Sequence, residues 1–204
     1  IKNRLERLNT KTPIELYFTP SVEKTIKKYL KTRLEFYKKN IDRIDYYLPL
    51  FEEQLQNQKI PLEIKYLPII ESRLEPSAVS KVGATGLWQF MFYTALENGL
   101  IMNSYVDERM DPYKSTAAAA RYLNKLYKIH NDWNLVLASY NAGPRTISRA
   151  KKKSGGYTNY WNIRPFLPSE TANYIPSFIA TMYILEYGKE HGINIHENKK
   201  TIRY

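Results

Sequence analysis

The chain has 204 residues, with 31 Lys plus Arg against 20 Asp plus Glu, a formal net charge of +11 and 43% hydrophobic residues. This content supports one core and argues against disorder, while no apolar run reaches the ~18 residues of a membrane span and the mean hydropathy is -0.53. The absence of Cys excludes a disulfide framework, thiolate metal ligands and a cysteine nucleophile, and a start at Ile1 rather than Met is what a processed or trimmed form would show.

In chain order, Val22, Ile26, Leu30, Leu34 and Tyr37 recur every three or four residues and predict one helix. Ile41, Ile44, Leu48, Phe51 and Leu55 predict a second, which Pro49 should kink or divide near Tyr47. Together they form a helical N-terminal extension, residues 1–60, in which nothing suggests chemistry. Pro61 suits the first position of a helix running through Leu62, Tyr66, Ile69 and Ile70, bent at Pro68 and ended near Leu74 by Pro76. Glu71 then lies near a helix C-terminus, where the dipole opposes ionisation. Gly83 and Gly86 permit tight turning in a small hairpin. Asp111-Pro112 reads as the cap and first turn of a helix through Ala117 to Ile129. Asp132 opens another, from Trp133 to Tyr140, stopped by Asn141-Ala142-Gly143-Pro144. Lys151-Lys152-Lys153 before Gly155-Gly156 reads as a solvated face and a turn. Ser169 is placed to cap a last helix carrying Tyr174, Phe178, Met182 and Leu185, interrupted at Pro176. Other strand signals are scarce, so the expected fold class is all-α.

The positive charge attracts anionic partners, whether nucleic acid, anionic lipid or an acidic wall polymer, without choosing among them. Its runs at Lys27-Lys28, Lys38-Lys39, Lys151-Lys153 and Lys199-Lys200 are scattered, and no RNP, zinc-finger or basic-zipper signature marks a nucleic-acid binder. His130, His191 and His196 show no helical pairing and no HExxH motif exists, so neither a metal site nor a cofactor is expected. No P-loop follows Gly83-Gly86, and no GxSxG elbow is present. What remains is a carboxylate ending an apolar run, Tyr66-Leu67-Pro68-Ile69-Ile70-Glu71-Ser72. Burial there would keep Glu71 protonated near neutral pH, as a general acid for glycoside cleavage requires, although most glutamates so placed are solvated or paired with a neighbour such as Arg73.

Four motifs in order sharpen this: Glu71-Ser72; Ser80-x-x-Gly83-Ala84-x-Gly86-Leu87-x-Gln89-x-Met91; Ser139-Tyr140-Asn141-Ala142-Gly143-Pro144; and Leu167-Pro168-Ser169-Glu170-Thr171-x-x-Tyr174. Together they resemble the lysozyme-like lytic transglycosylases. Leu62 to Pro68 and Val106-Asp107-Glu108-Arg109-x-Asp111-Pro112 are similar to the membrane-bound transglycosylase D type within that group. The resemblance implies a goose-type, soluble lytic transglycosylase-like catalytic domain over residues 61–190, followed by a C-terminal tail, 191–204. It implies peptidoglycan glycan strands as partner and substrate, cut at the β-1,4 bond between N-acetylmuramic acid and N-acetylglucosamine to leave a 1,6-anhydromuramoyl end.

By the same resemblance Glu71 is general acid and then base, one carboxyl sufficing because the attacking hydroxyl belongs to the substrate. Glu75, the tempting second acid, is set apart by Pro76. Ser72, Ser80, Gln89, Met91, Tyr140, Asn141, Glu170 and Tyr174 are the implied substrate-binding residues, Tyr174 lying near Glu71. Five of them have a plainer alternative: turn hydrogen bonds for Ser80 and Gln89, core for Met91, a left-handed helix end for Asn141 and a first-turn acid for Glu170. Phe92, Arg145 and Ser169 depart from the family's usual Pro, Gly and Arg and change loops and charge near the cleft. The implied setting is the bacterial envelope facing the periplasm, any lipoprotein anchor lying outside this chain. A hydrolytic lysozyme on the same scaffold and a non-catalytic wall-binding module are the alternative functions, and the oligomeric state is not readable.

Overall fold

Capping chemistry opens several helices in the computed structural model, which describes residues 1–193. His196, Lys199, Lys200 and most of the 191–204 tail lie outside the described residues. After α1 (Lys2–Asn9), Thr19 accepts the Val22 N–H at 3.2 Å and begins α2 (Pro20–Thr32), with Pro20 in the first turn. The apolar period runs on to Tyr37, yet the chain breaks at Arg33 (φ -121°, ψ -7°) and restarts as α3 (Leu34–Lys39). Beyond that break Tyr37 is buried, its hydroxyl 3.2 Å from Thr181 Oγ1. α4 (Ile41–Asn57) is not divided by Pro49, because burial of Leu48, Leu50 and Phe51 around the proline outweighs the missing donor.

Pro61 leads into a 3-10 helix, Leu62–Tyr66, and then α5 (Leu67–Ser72), whose first turn holds Pro68. The expected bend is therefore a change of helix type at Leu67, where a proline's missing N–H costs nothing. α5 ends at Ser72, short of Leu74, because Arg73 and Leu74 take left-handed conformations with φ of 56° and 61°. Among the described residues no strand forms; the expected hairpin consists of isolated bridges, Val79 with Thr85 and Thr85 with Phe90.

α6 (Phe92–Glu97) precedes α7 (Pro112–His130), which Asp111 caps by accepting the Lys114 N–H at 2.9 Å. Asp132 caps α8 (Trp133–Ala142) in the same way, on Leu135 N–H at 2.8 Å. Lys151–Lys153 lie in a helix that the lysines concealed, α9 (Pro144–Lys153), anchored by buried Ile147 and Ala150. α10 (Tyr160–Ile163) is followed by α11 (Ser169–Glu186), in which Ser169 is the first helical residue rather than its cap, and which runs unbroken through Pro176.

The core lies between α11 and α8. α8 is buried from Trp133 to Ser139, as befits a helix apolar on most sides. α11 packs on α2, α8 and α5, and α7 lies against α8 and α4, where buried Ala118, Ala119 and Ala120 permit close approach. Among the described residues no helix is long and apolar enough to cross a membrane.

Candidate active site

Glu71 is the penultimate residue of α5, so its position depends on what holds that short helix. The buried Ser72 hydroxyl lies 3.0 Å from Pro68 O and 2.9 Å from Leu87 O, tying α5 to the glycine loop. That loop has little freedom. Gly86 has φ +83°, and a Cβ on it would lie 1.8 Å from Arg109 O. The Arg109 guanidinium, paired with Asp107, donates to Gly83 O at 3.0 Å and Phe90 O at 3.2 Å. Thr85 and Phe90 exchange backbone hydrogen bonds of 3.0 Å. Buried Trp88 donates its indole N–H to Thr116 Oγ1 at 2.8 Å and packs edge-on against Phe51 of α4.

Across from the loop, the Tyr174 hydroxyl on α11 donates to Glu71 Oε1. The Tyr140 hydroxyl on α8 donates to Trp88 O at 2.7 Å, and its ring packs with Phe90 and Tyr122. Part of Glu71 is open to solvent, yet desolvation of its carboxyl dominates and raises its pKa to about 7. The Tyr174 hydrogen bond opposes that rise and the negative charge of Glu170 adds to it. Burial, with the Glu71 charge nearby, holds both tyrosines well above their ordinary value, so they remain neutral phenols.

Asn141 bridges two helices at the edge of this cluster. Its Nδ2 donates to Glu170 Oε1 at 3.3 Å and its Oδ1 accepts from Thr171 Oγ1 at 2.9 Å. It is helical; the left-handed asparagine is Asn131, with φ 48°, closing α7. The structure thus brings Glu71, Tyr174, Tyr140, Asn141 and Glu170 together. The side chains of Ser80 and Gln89 are engaged with the backbone: Ser80 Oγ accepts the Ala84 N–H at 3.0 Å, and Gln89, itself left-handed at φ 49°, donates to Ala78 O at 3.2 Å and Gly86 O at 2.9 Å. Met91 is 46% exposed at the start of α6, not core. Glu75 bonds Ser77 at 2.9 Å and Arg43 at 3.1 Å, and these hold its pKa below the ordinary value, Ser77 first.

Arg109 and Trp88 were not singled out from the sequence, although Arg109 stands in the Val106–Pro112 wording; its partners at Gly83 and Phe90 are backbone carbonyls, which leave no trace in side-chain identity. Among the described residues no group of three or more His, Cys, Asp or Glu is placed to hold a metal ion. His130 lies 2.9 Å from Ser139 Oγ, and burial lowers its pKa to about 4.

Several known proteins are similar to this chain. The chain is 32% identical over 172 residues to membrane-bound lytic murein transglycosylase D of Escherichia coli strain K12, covering 82% of this chain and 37% of that protein. It is 31% identical over 140 residues to membrane-bound lytic murein transglycosylase F 1 of Alkalilimnicola ehrlichii, covering 62% of this chain and 27% of the relative. The chain therefore spans little more than a third of the length of the first relative. The solved 70 kDa soluble lytic transglycosylase of Escherichia coli superposes with a TM-score of 0.60 at 26% identity, covering 78% of this chain and 27% of that one. The model of the transglycosylase SLT domain matches residues 49–162, more than half of the chain, and by that match the chain belongs to the transglycosylase SLT domain family.

Proposed function

We propose that this chain is the catalytic unit of a peptidoglycan lytic transglycosylase, cleaving the β-1,4 bond between N-acetylmuramic acid and N-acetylglucosamine and leaving a 1,6-anhydromuramoyl end. The observation that carries the reading is Glu71, a carboxyl whose pKa of about 7 leaves a large protonated fraction at neutral pH, with the Tyr174 phenol on its Oε1. The Glu71 proton passes to the bridging oxygen as the bond from the muramoyl C1 to that oxygen breaks. The muramoyl C6 hydroxyl then bonds C1 and gives its proton to the Glu71 carboxylate, so the acid is regenerated and no water is consumed.

Tyr174 steadies the carboxylate between these steps, and Tyr140, hydrogen-bonded to Trp88 O, shapes the wall beside it. Asn141 and Glu170 present polar groups to the sugar at the cleft edge, while exposed Met91 offers an apolar contact at the other end. Ser72, Ser80 and Gln89 serve the substrate by fixing the loop that lines it. The catalytic unit is residues 61–190, with 1–60 as a helical extension that backs α11. The setting is the bacterial envelope, with the site facing the periplasm, in keeping with relatives named membrane-bound lytic murein transglycosylases.

Mass spectrometry of fragments released from purified sacculi by wild type and Glu71→Gln tests this. Anhydro-ended fragments from wild type alone are expected. Hydrated ends would make the protein a lysozyme, and absence of fragments from both would leave a wall-binding module.

A further inference from the structure

At the Asn141–Glu170 edge, a cavity of about 420 Å³ opens between α9 and the segment from Pro165 to Pro168. Its position follows from the chain. Pro168 lies two residues before Glu170, and Thr146, on the opposite wall, hydrogen-bonds Gly143 O at 3.1 Å just past the end of the helix that carries Asn141. The cavity therefore lies beside the chain segments that carry Asn141 and Glu170.

The chemistry of its lining is one-sided. Arg149 and Lys153, one helical turn apart on α9, both line it. Among the described residues the Arg149 guanidinium has a single hydrogen bond, 3.5 Å to Thr146 Oγ1, and neither cation pairs with an acid. Facing them, Phe166 is 44% exposed and Pro165 and Pro168 present aliphatic rings. Two unpaired cations, one of them a planar fork, above a short apolar wall fit carboxylates carried on a short aliphatic chain. A neutral sugar would leave both cations without a counter-charge. The size is that of a small-ligand site of roughly 300–1,000 Å³.

We propose that this groove is a carboxylate-binding subsite that takes the acidic peptide branches of the glycan strand whose sugars occupy the cleft. The inference rests on the peptidoglycan reading for its substrate, but its binding partner is measurable without turnover. Arg149 supplies a two-pronged contact to one carboxylate, Lys153 a point charge to a second, and the Phe166 ring covers the aliphatic link between them. A charge-assisted pair of this kind also orients the strand along the cleft.

The test is isothermal titration of the whole chain with a synthetic alanyl-γ-glutamyl-alanine tripeptide bearing free carboxylates, and with its fully amidated form. Wild type should bind the free acid and not the amide. Arg149→Ala/Lys153→Ala should weaken that binding about tenfold. Lys28→Ala/Lys31→Ala, which removes the same charge from exposed positions toward the end of α2 remote from Ser21 and its Arg164 contact, should stay within about twofold, because surface charges away from the groove are screened by salt. Wild type binding both peptides alike or neither, or both double variants behaving alike, overturns the proposal. So does a loss in Arg149→Ala/Lys153→Ala seen with phosphatidylglycerol vesicles and not with the tripeptide, which would make the groove a lipid-headgroup site. Sacculus digestion separates the two readings, since missing anhydro fragments would remove the transglycosylase assignment whether or not the tripeptide binds.

Discussion

Replacing Glu71 with Gln should change stability in a pH-dependent way whose sign follows from the burial of the carboxyl. The unfolded chain releases the Glu71 proton near the ordinary value of 4.5, whereas the folded protein holds it to about 7. Below 4.5 the group is neutral in both states and contributes nothing. As pH rises from there the fold retains a proton that the unfolded chain has lost, so wild-type stability falls across that window and the loss is complete above about 7. The interval is worth about 3 kcal/mol at ~1.4 kcal/mol per unit, and partial exposure of Glu71 reduces that to about 2 kcal/mol. Glu71→Gln carries no charge to desolvate, and its amide oxygen still accepts from Tyr174. Whatever constant penalty its NH₂ brings, the stability of the variant relative to wild type should rise by about 2 kcal/mol between about pH 4 and about pH 8.5. For a chain of this length that is a relative Tm gain of about 4–8 °C. Thermal melts by circular dichroism at both pH values read it directly. A difference that is flat with pH, or that shrinks as pH rises, would refute the buried, proton-holding carboxyl.

Three further outcomes follow from the same geometry. Tyr174→Phe removes the hydrogen bond that lowers the Glu71 pKa, so the alkaline limb of fragment release should move to higher pH while the maximal rate drops; a limb moving lower would contradict the assignment. Gly86→Ala should destabilise by about 3 kcal/mol or more, because its Cβ would lie 1.8 Å from Arg109 O at a φ of +83°, and a melt unchanged from wild type would be inconsistent with that contact. Thr116→Val leaves the buried Trp88 indole N–H without its acceptor and should cost about 1–3 kcal/mol by urea unfolding.

Helix starts were the most readable part of the fold, because Asp111 and Asp132 act on N–H groups three residues ahead and the information is local. Breaks were harder. The apolar stripe from Val22 to Tyr37 keeps its period across Arg33, and only the interior position of Tyr37 against Thr181 explains why two helices serve better than one. Pro49 and Pro176 looked like interruptions, but packing around them holds both helices together. α9 was hidden by its lysines, although Pro144 in the first turn and Ile147 and Ala150 three apart are its signature. In the site, the apolar run before Glu71 pointed to a shielded acid, but its phenol partner is 103 residues away, beyond the reach of any local pattern, and was reached by resemblance alone.

The matched family window, residues 49–162, contains Glu71 and stops short of α11. It also omits α2, which packs along α11, and Tyr37, which meets it at Thr181. A protein trimmed to that window would keep the acid while losing both the phenol that donates to it and the wall that sets the phenol's depth. Water would then reach the carboxyl, and its pKa would fall back towards that of an ordinary glutamate. The capacity to hold a proton at neutral pH therefore belongs to the two ends of the chain, folded back on each other, as much as to the segment in which the acid is written.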